Sequence, residues 1–273
     1  MGNPKKIGLV LSGGGAKGAY EAGVWAGLEQ IGLTPSIDGI IGASVGALNA
    51  VLFDNSDTET AANIWLNLKK SDLLNIDKAE VAAMLLSPLF AMYRASIWGI
   101  LLGGSFSQKR LEAIMKEHID FSRGTRSLYA VCTHAADLHS SEVFSLSEYE
   151  PELRKQIVLA SSALPLIYKG IFCLQINGTG YLDGGISDNT PRMKLRARGW
   201  RQTVTVWLTN EPDRNHLSDD DNIDIIPSRS LGGFLTGTIR ISKKKLKADY
   251  DLGIEDVLLQ KERLLQMAQR VEA

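Results

Sequence analysis

A three-layer α/β/α fold with a mostly parallel central sheet is the architecture this sequence predicts, on three observations. Short apolar runs of strand length alternate with segments whose apolar residues recur at helical spacing, the pattern of a parallel sheet covered on both faces. Glycine-rich loops stand at two strand-to-helix junctions early in the chain. The length of 273 residues and a hydrophobic share of 44% are ample for a buried core.

The first strand is expected at Ile7–Leu11, a short apolar run that leads into Ser12-Gly13-Gly14-Gly15-Ala16-Lys17-Gly18. A helix follows, with Tyr20, Val24, Leu28 and Ile31 at helical spacing; Ala19, Gly23 and Gly27 would let it lie close against the sheet, and Gly32 would cap its end. A second strand, Gly39-Ile40-Ile41, runs into Gly42-Ala43-Ser44-Val45-Gly46 and a helix through Leu48 and Val51. The capping box Ser56-Asp57-Thr58-Glu59 starts another helix. A further helix is placed near Ser107–His118, strands at Leu128–Thr133 and Val143–Leu146, and a helix at Glu152–Ser161. Ile171–Ile176 and Thr203–Leu208 read as strands, and the tail from Ile254 as helical. No repeat, low-complexity tract or linker divides the chain, so a single domain over 1–273 is expected.

Charge and composition exclude several classes. Thirty Lys and Arg against 31 Asp and Glu leave no basic excess for general nucleic-acid binding. Cys132 and Cys173 are too few for a disulfide framework or a four-cysteine zinc site and suit a reducing compartment. The first residues run directly into a strand with no signal-peptide pattern, which reads as a cytoplasmic start. The stretch Val81–Leu102 is long enough to span a bilayer, but Pro88 and Arg94 interrupt it, and a central Arg costs at least ~2.5 kcal/mol. It reads as apolar helices packed on the domain, or as a lid that meets lipid at a membrane surface. The two are compatible if a hydrophobic substrate enters beside it.

Three motifs carry the chemistry. Gly13–Gly18 satisfies GxGxxG between strand and helix, with Asp38 at the distance of a ribose-binding acid, so a dinucleotide is one reading. Glycine N–H groups at a helix start suit a transient oxyanion equally well. Gly42-Ala43-Ser44-Val45-Gly46 is GxSxG, the nucleophile-elbow arrangement, whose sharp turn needs small flanking residues; a plain helix cap is the bland alternative. Asp183-Gly184-Gly185 puts a carboxylate in a tight turn. A serine needs a base, and Ser44…Asp183…His216 has the chain order of an α/β-hydrolase triad. Only one strand precedes that of the elbow, however, and His216 sits in a polar, loop-like stretch. His118, His134 and His139 have no motif context.

Together the three motifs, with Ala160-Ser161-Ser162-Ala163-Leu164-Pro165 and Asn189-Thr190-Pro191, resemble the patatin-like phospholipases over about Lys6 to Leu208. The tail resembles them only weakly, around Phe234–Asp251. The resemblance implies that Ser44 is the nucleophile and Asp183 the proton acceptor of a dyad without histidine. It implies an oxyanion hole of Gly13, Gly14 and Gly15 N–H groups, with Lys17, Gly18, Gly42, Gly46, Gly184 and Gly185 in support. Lys17 stands where many members have Arg. The implied substrates are phospholipid or lysophospholipid acyl esters, with transient membrane contact and no metal or cofactor. The basic groups Arg192–Arg201 and Lys243–Lys247 are solvated surface or a match for anionic head groups, and Asp219–Asp221 lacks the spacing of a calcium loop. A carboxylesterase or acylglycerol lipase, a dinucleotide-binding protein and a non-catalytic lipid-binding module are the alternatives.

Overall fold

The computed structural model describes residues 6–69, 74–75, 105–106, 108–163, 173–212, 221–233, 237 and 241–272. Its elements in chain order are β1 (Ile7–Leu11), α1 (Gly18–Gln30), β2 (Ile37–Ala43), α2 (Val45–Asn55), α3 (Thr58–Asn67), β3 (Leu74–Asn75) and β4 (Ser105–Phe106). There follow α4 (Gln108–His118), β5 (Ser127–His134), β6 (Asp137–Ser145), α5 (Pro151–Ser161), β7 (Leu174–Ile176) and β8 (Thr179–Asp183). The last are α6 (Arg192–Arg196), β9 (Gln202–Val206), β10 (Asn222–Ile225), α7 (Lys243–Leu259) and α8 (Lys261–Glu272).

The main sheet has the order β10-β9-β1-β2-β5-β8-β7, with β6 also on β5. Its β10-β9-β1-β2-β5 block is parallel; β6, β7 and β8 are antiparallel. Side chains on successive strand residues point to opposite faces, which sorts the core into layers. Leu9, Leu11 and Ile40 join the large cluster with α1, α2 and α7, while Val10 and Ile41 meet Leu195 of α6 and Trp200 on the other face. The α/β/α expectation therefore holds, with a mixed sheet.

Gly32 ends α1 as expected: its φ is +76°, its N–H bonds Glu29 O, and the Leu33 N–H bonds Leu28 O, a Schellman closure. The cap of α3 lies one residue later than the capping box predicted, because Asp57 accepts the Thr60 N–H at 2.6 Å. The small face of α1 does not serve the sheet. A side chain at Gly23 would strike Tyr250 O, and one at Gly253 would strike Tyr20 O, so the missing Cβ atoms let α1 and α7 approach backbone to backbone. Tyr20 Oη then donates to Asp256 of α7 at 2.8 Å. Helix α7 begins at Lys243, capped by Ser242, well before the Ile254 start read from periodicity. The strands β8 and β10 were not anticipated, while α6 lies in the basic stretch read as a solvated helix face.

Residues 81–102, Leu164, Pro165, His216, Asp219 and Asp220 lie outside the described residues. Among the described residues no helix is long and apolar enough to cross a membrane.

Candidate active site

Strand β5 carries the geometry of the site. Its residues Ser127–Val131 pair with β2, and Cys132–His134 pair with β8, while β6 lies along its other edge. Because β2 is parallel to β5 and β8 antiparallel, the C-terminal ends of β2 and β8 meet head-on. Ala43 closes β2 opposite Val131, and Asp183 closes β8 opposite Cys132. Ser44 and Asp183, 139 positions apart, thereby become neighbours.

Ser44 turns the chain from β2 into α2 with φ 54° and ψ −126°, a conformation that costs a non-glycine residue roughly 1–3 kcal/mol. A Cβ at Gly42 would overlap the Gly46 carbonyl, and one at Gly46 would lie 2.5 Å from Leu11 O, so the turn closes only with glycine at both positions. The Ser44 side chain does not cap α2. Its Oγ donates instead to Asp183 Oδ2 at 2.6 Å, and both residues are buried, at 6% and 1% exposure. Asp183 Oδ1 accepts the Gly185 N–H at 2.8 Å. Burial pushes the carboxyl up to about 7, against the Ser44 and Gly185 hydrogen bonds that pull it down. Gly184 packs directly on Val131 O.

The glycine loop lies over this pair. A Cβ on Gly13 would sit 3.0 Å from Ser44 Cβ. The Gly13 N–H donates to Asn189 O at 3.1 Å, and Asn189 Nδ2 donates back to Gly13 O at 3.2 Å. The Gly13 N–H expected in the oxyanion hole is thus engaged by Asn189. Among the described residues, the Gly14 and Gly15 N–H groups find no acceptor outside their own turn. Lys17 Nζ donates to Leu208 O at 3.1 Å, tying the loop to the segment after β9; burial and nearby Lys245 lower its pKa.

A buried polar network behind the loop was missed from sequence. Asn49 Nδ2 donates to Gly18 O at 3.1 Å and to Glu21 Oε2 at 2.8 Å, and Trp65 Nε1 donates to Asn49 Oδ1 at 2.9 Å. Burial pushes Glu21 up to about 8. The one signal was an acid, Glu21, within the glycine-rich and largely apolar run Gly18–Leu28 of α1.

Other expectations fare differently. Asp38 sits second in β2, at the sheet end opposite the glycine loop, where it accepts Trp200 Nε1 at 2.6 Å and the Lys6 N–H at 3.1 Å. A ribose-binding acid belongs at the other end of that strand, so the dinucleotide reading fails on geometry. Among the described residues no histidine bonds Ser44 or Asp183. Lys194 pairs with Asp188, Arg196 with Asp221, and Lys245 and Lys247 with Asp249 and Asp251, so these basic residues lie in surface networks. Asp221 accepts from Gln202 and Asp224 from Trp207; among the described residues no group of three potential metal ligands forms.

Comparison with known proteins finds relatives both in sequence and in fold. Lysophospholipase NTE1 of Cryptococcus neoformans is 27% identical over 236 residues, covering 80% of this chain and 12% of that one. Human patatin-like phospholipase domain-containing protein 6 is 26% identical over 219 residues, covering 80% and 14%. The chain therefore spans only a small part of these relatives' length. VipD from Legionella pneumophila superposes with a TM-score of 0.57 at 17% identity, over 95% of this chain and 67% of that one. Human GIVD cytosolic phospholipase A2 does so at 0.56 and 12%, over 98% and 60%. These two likenesses are of fold. The family model described as "Patatin-like phospholipase" matches residues 9–196, from β1 through the glycine loop, the Ser44 elbow and Asp183 to α6, and the chain belongs to that family.

Proposed function

We propose that this chain is a serine acyl hydrolase that cleaves fatty-acyl esters of phospholipids or lysophospholipids. The observation that carries the reading is the 2.6 Å hydrogen bond from Ser44 Oγ to the buried Asp183 carboxylate. A carboxylate moved up to about 7 by burial is a competent base near neutral pH, unlike one in water. Ser44 Oγ attacks the ester carbonyl as Asp183 Oδ2 takes its proton. The Gly14 and Gly15 N–H groups and the N-terminal end of α2 stabilise the oxyanion, while Asn189 fixes Gly13 and with it the loop. Asp183 returns the proton to the departing alkoxide, leaving an acyl-Ser44. Water, deprotonated by Asp183, releases the fatty acid and restores the hydroxyl. The names of the relatives support a lipid substrate.

The test is fatty-acid release from phosphatidylcholine, lysophosphatidylcholine and monoacylglycerol by wild type, Ser44→Ala, Asp183→Ala and His216→Ala. Release from the phospholipids that stops with Ser44→Ala and Asp183→Ala, and survives His216→Ala, is expected. Loss with His216→Ala replaces the dyad by a triad. Release from monoacylglycerol alone replaces the substrate class.

A further inference from the structure

Three consecutive residues at the end of α5 touch both members of the dyad. Ser161 Oγ accepts the Ser44 N–H at 3.0 Å and donates to Val131 O at 2.6 Å. Ser162 Oγ, with a single proton, is shared as donor between Ser44 O at 3.2 Å and Val158 O at 3.1 Å. The Asp183 N–H donates to Ala163 O at 3.0 Å. These contacts fall where β2 ends opposite Val131 and β8 begins to pair with the next residue of β5. We propose that Ser161–Ser162–Ala163 is a clamp that sets Ser44 against Asp183, with the Ser161 hydroxyl as its essential positioning group. The proposal rests on the dyad reading above and adds to it the device that holds the dyad in register.

The weights of the three contacts differ. Ser161 is fully buried, and both its donor and its acceptor capacity are used. Among the described residues its Oγ is the sole acceptor for the Ser44 N–H, so removing it leaves a buried N–H unpaired beside a left-handed backbone. Ser44 O is held redundantly, because it also accepts the Ala47 and Leu48 N–H groups at 3.0 and 3.4 Å. Ser162 is therefore the dispensable member. The Ala163 contact uses backbone alone and is indifferent to side-chain replacement.

The experiment compares Ser161→Ala, Ser161→Thr and Ser162→Ala with wild type and Ser44→Ala. It reads kcat and KM on a short soluble ester and the rate at which a fluorophosphonate labels Ser44. A small displacement of a reacting atom is worth about a hundredfold in rate. Ser161→Ala is expected to lower kcat and the labelling rate together by roughly that factor, with KM within about twofold. Ser162→Ala is expected to lose less than about threefold, and Ser161→Thr, which keeps the hydroxyl, to recover most of the loss. Wild-type kcat and labelling in a folded Ser161→Ala protein overturns the clamp, as does an equal loss in Ser162→Ala. If Ser161→Ala does not fold, Ser161→Cys carries the test, its weak thiol labelling slowly where Thr labels fast; equal rates overturn the clamp. Wild-type protein that is not labelled at Ser44 removes the dyad reading itself, an outcome distinct from both.

Discussion

Replacing Asp183 with Asn separates the two consequences of burying the carboxyl proposed as the base. The carboxyl stands at about 7 in the folded protein against 3.8 for the ordinary group. Between those values the folded state keeps a proton that the unfolded chain has released. Wild-type stability therefore falls as pH rises through that window and is flat with respect to this group above it. Three pH units at 1.36 kcal/mol each make the cost of ionising Asp183 in place about 4 kcal/mol, of which about 2.5 falls between pH 5 and pH 8. Asn cannot titrate, so Asp183→Asn should gain that amount on wild type between those two pH values. Glu21, pushed up to about 8, titrates in both proteins and cancels in the difference. Urea unfolding of the pair at pH 5, 6.5 and 8 measures it. Activity should move the other way. Only the carboxylate accepts the Ser44 proton, so wild-type kcat/KM on a soluble ester should rise nearly tenfold per pH unit well below 7 and level off above. Asp183→Asn should lose about 10²–10⁴ at pH 8. A stability difference that does not change with pH, or a wild-type plateau that extends down to pH 5, refutes the reasoning.

Three further outcomes follow from the same geometry. Ser44→Ala removes a hydrogen bond that lowers the Asp183 pKa, so the carboxyl should titrate above about 7 by carbon NMR, and esterase activity should fall by at least ~10³; an unmoved titration contradicts the contact. Gly13→Ala places a methyl against Asn189 Oδ1 and 3.0 Å from Ser44 Cβ, so kcat should drop about a hundredfold with little change in KM. Lys17→Met loses the bond to Leu208 O while keeping the aliphatic stem, and about a tenfold loss in kcat is expected at a stability cost near 1 kcal/mol; an unchanged kcat means the loop does not depend on that tie.

Much of this was legible in the sequence because it is local. Gly32 as a helix stop, Ser44 between Gly42 and Gly46, and the apolar strands Ile7–Leu11 and Gly39–Ile41 each rest on a few adjacent residues. What escaped depends on pairing at a distance. Strand β8 holds Gly180 and a single long aliphatic, Leu182, and it exists because β5 offers it an edge. The start of α7 is polar, Lys243-Lys244-Lys245, and helical periodicity becomes visible only where apolar residues resume. Asn189 and Ser161 lay inside stretches recognised for their resemblance, yet their roles are contacts to Gly13 and Ser44 far away in sequence. The destination of the small face of α1 was unreadable for the same reason: glycine predicts close approach without naming the partner.

In the proposed mechanism, the topology accounts for how two groups would suffice where a third commonly orients the base. A histidine on a flexible side chain needs a partner to fix its ring. Asp183 has a short side chain at the end of a paired strand, with one oxygen held by the Gly185 N–H and the other aimed at Ser44. Its direction is thus set by strand register. A slip of β8 by one residue along β5 would turn Asp183 to the opposite face, since side chains alternate along a strand. The Asp183 N–H on Ala163 O and the packing of Gly184 on Val131 O oppose that slip from both sides. Orientation comes from backbone hydrogen bonds already required by the sheet, and basicity comes from burial in it. The same pairing that costs stability when Asp183 ionises is therefore what would suit it to the proposed role of base, and exposing it to water would remove both its orientation and its raised pKa.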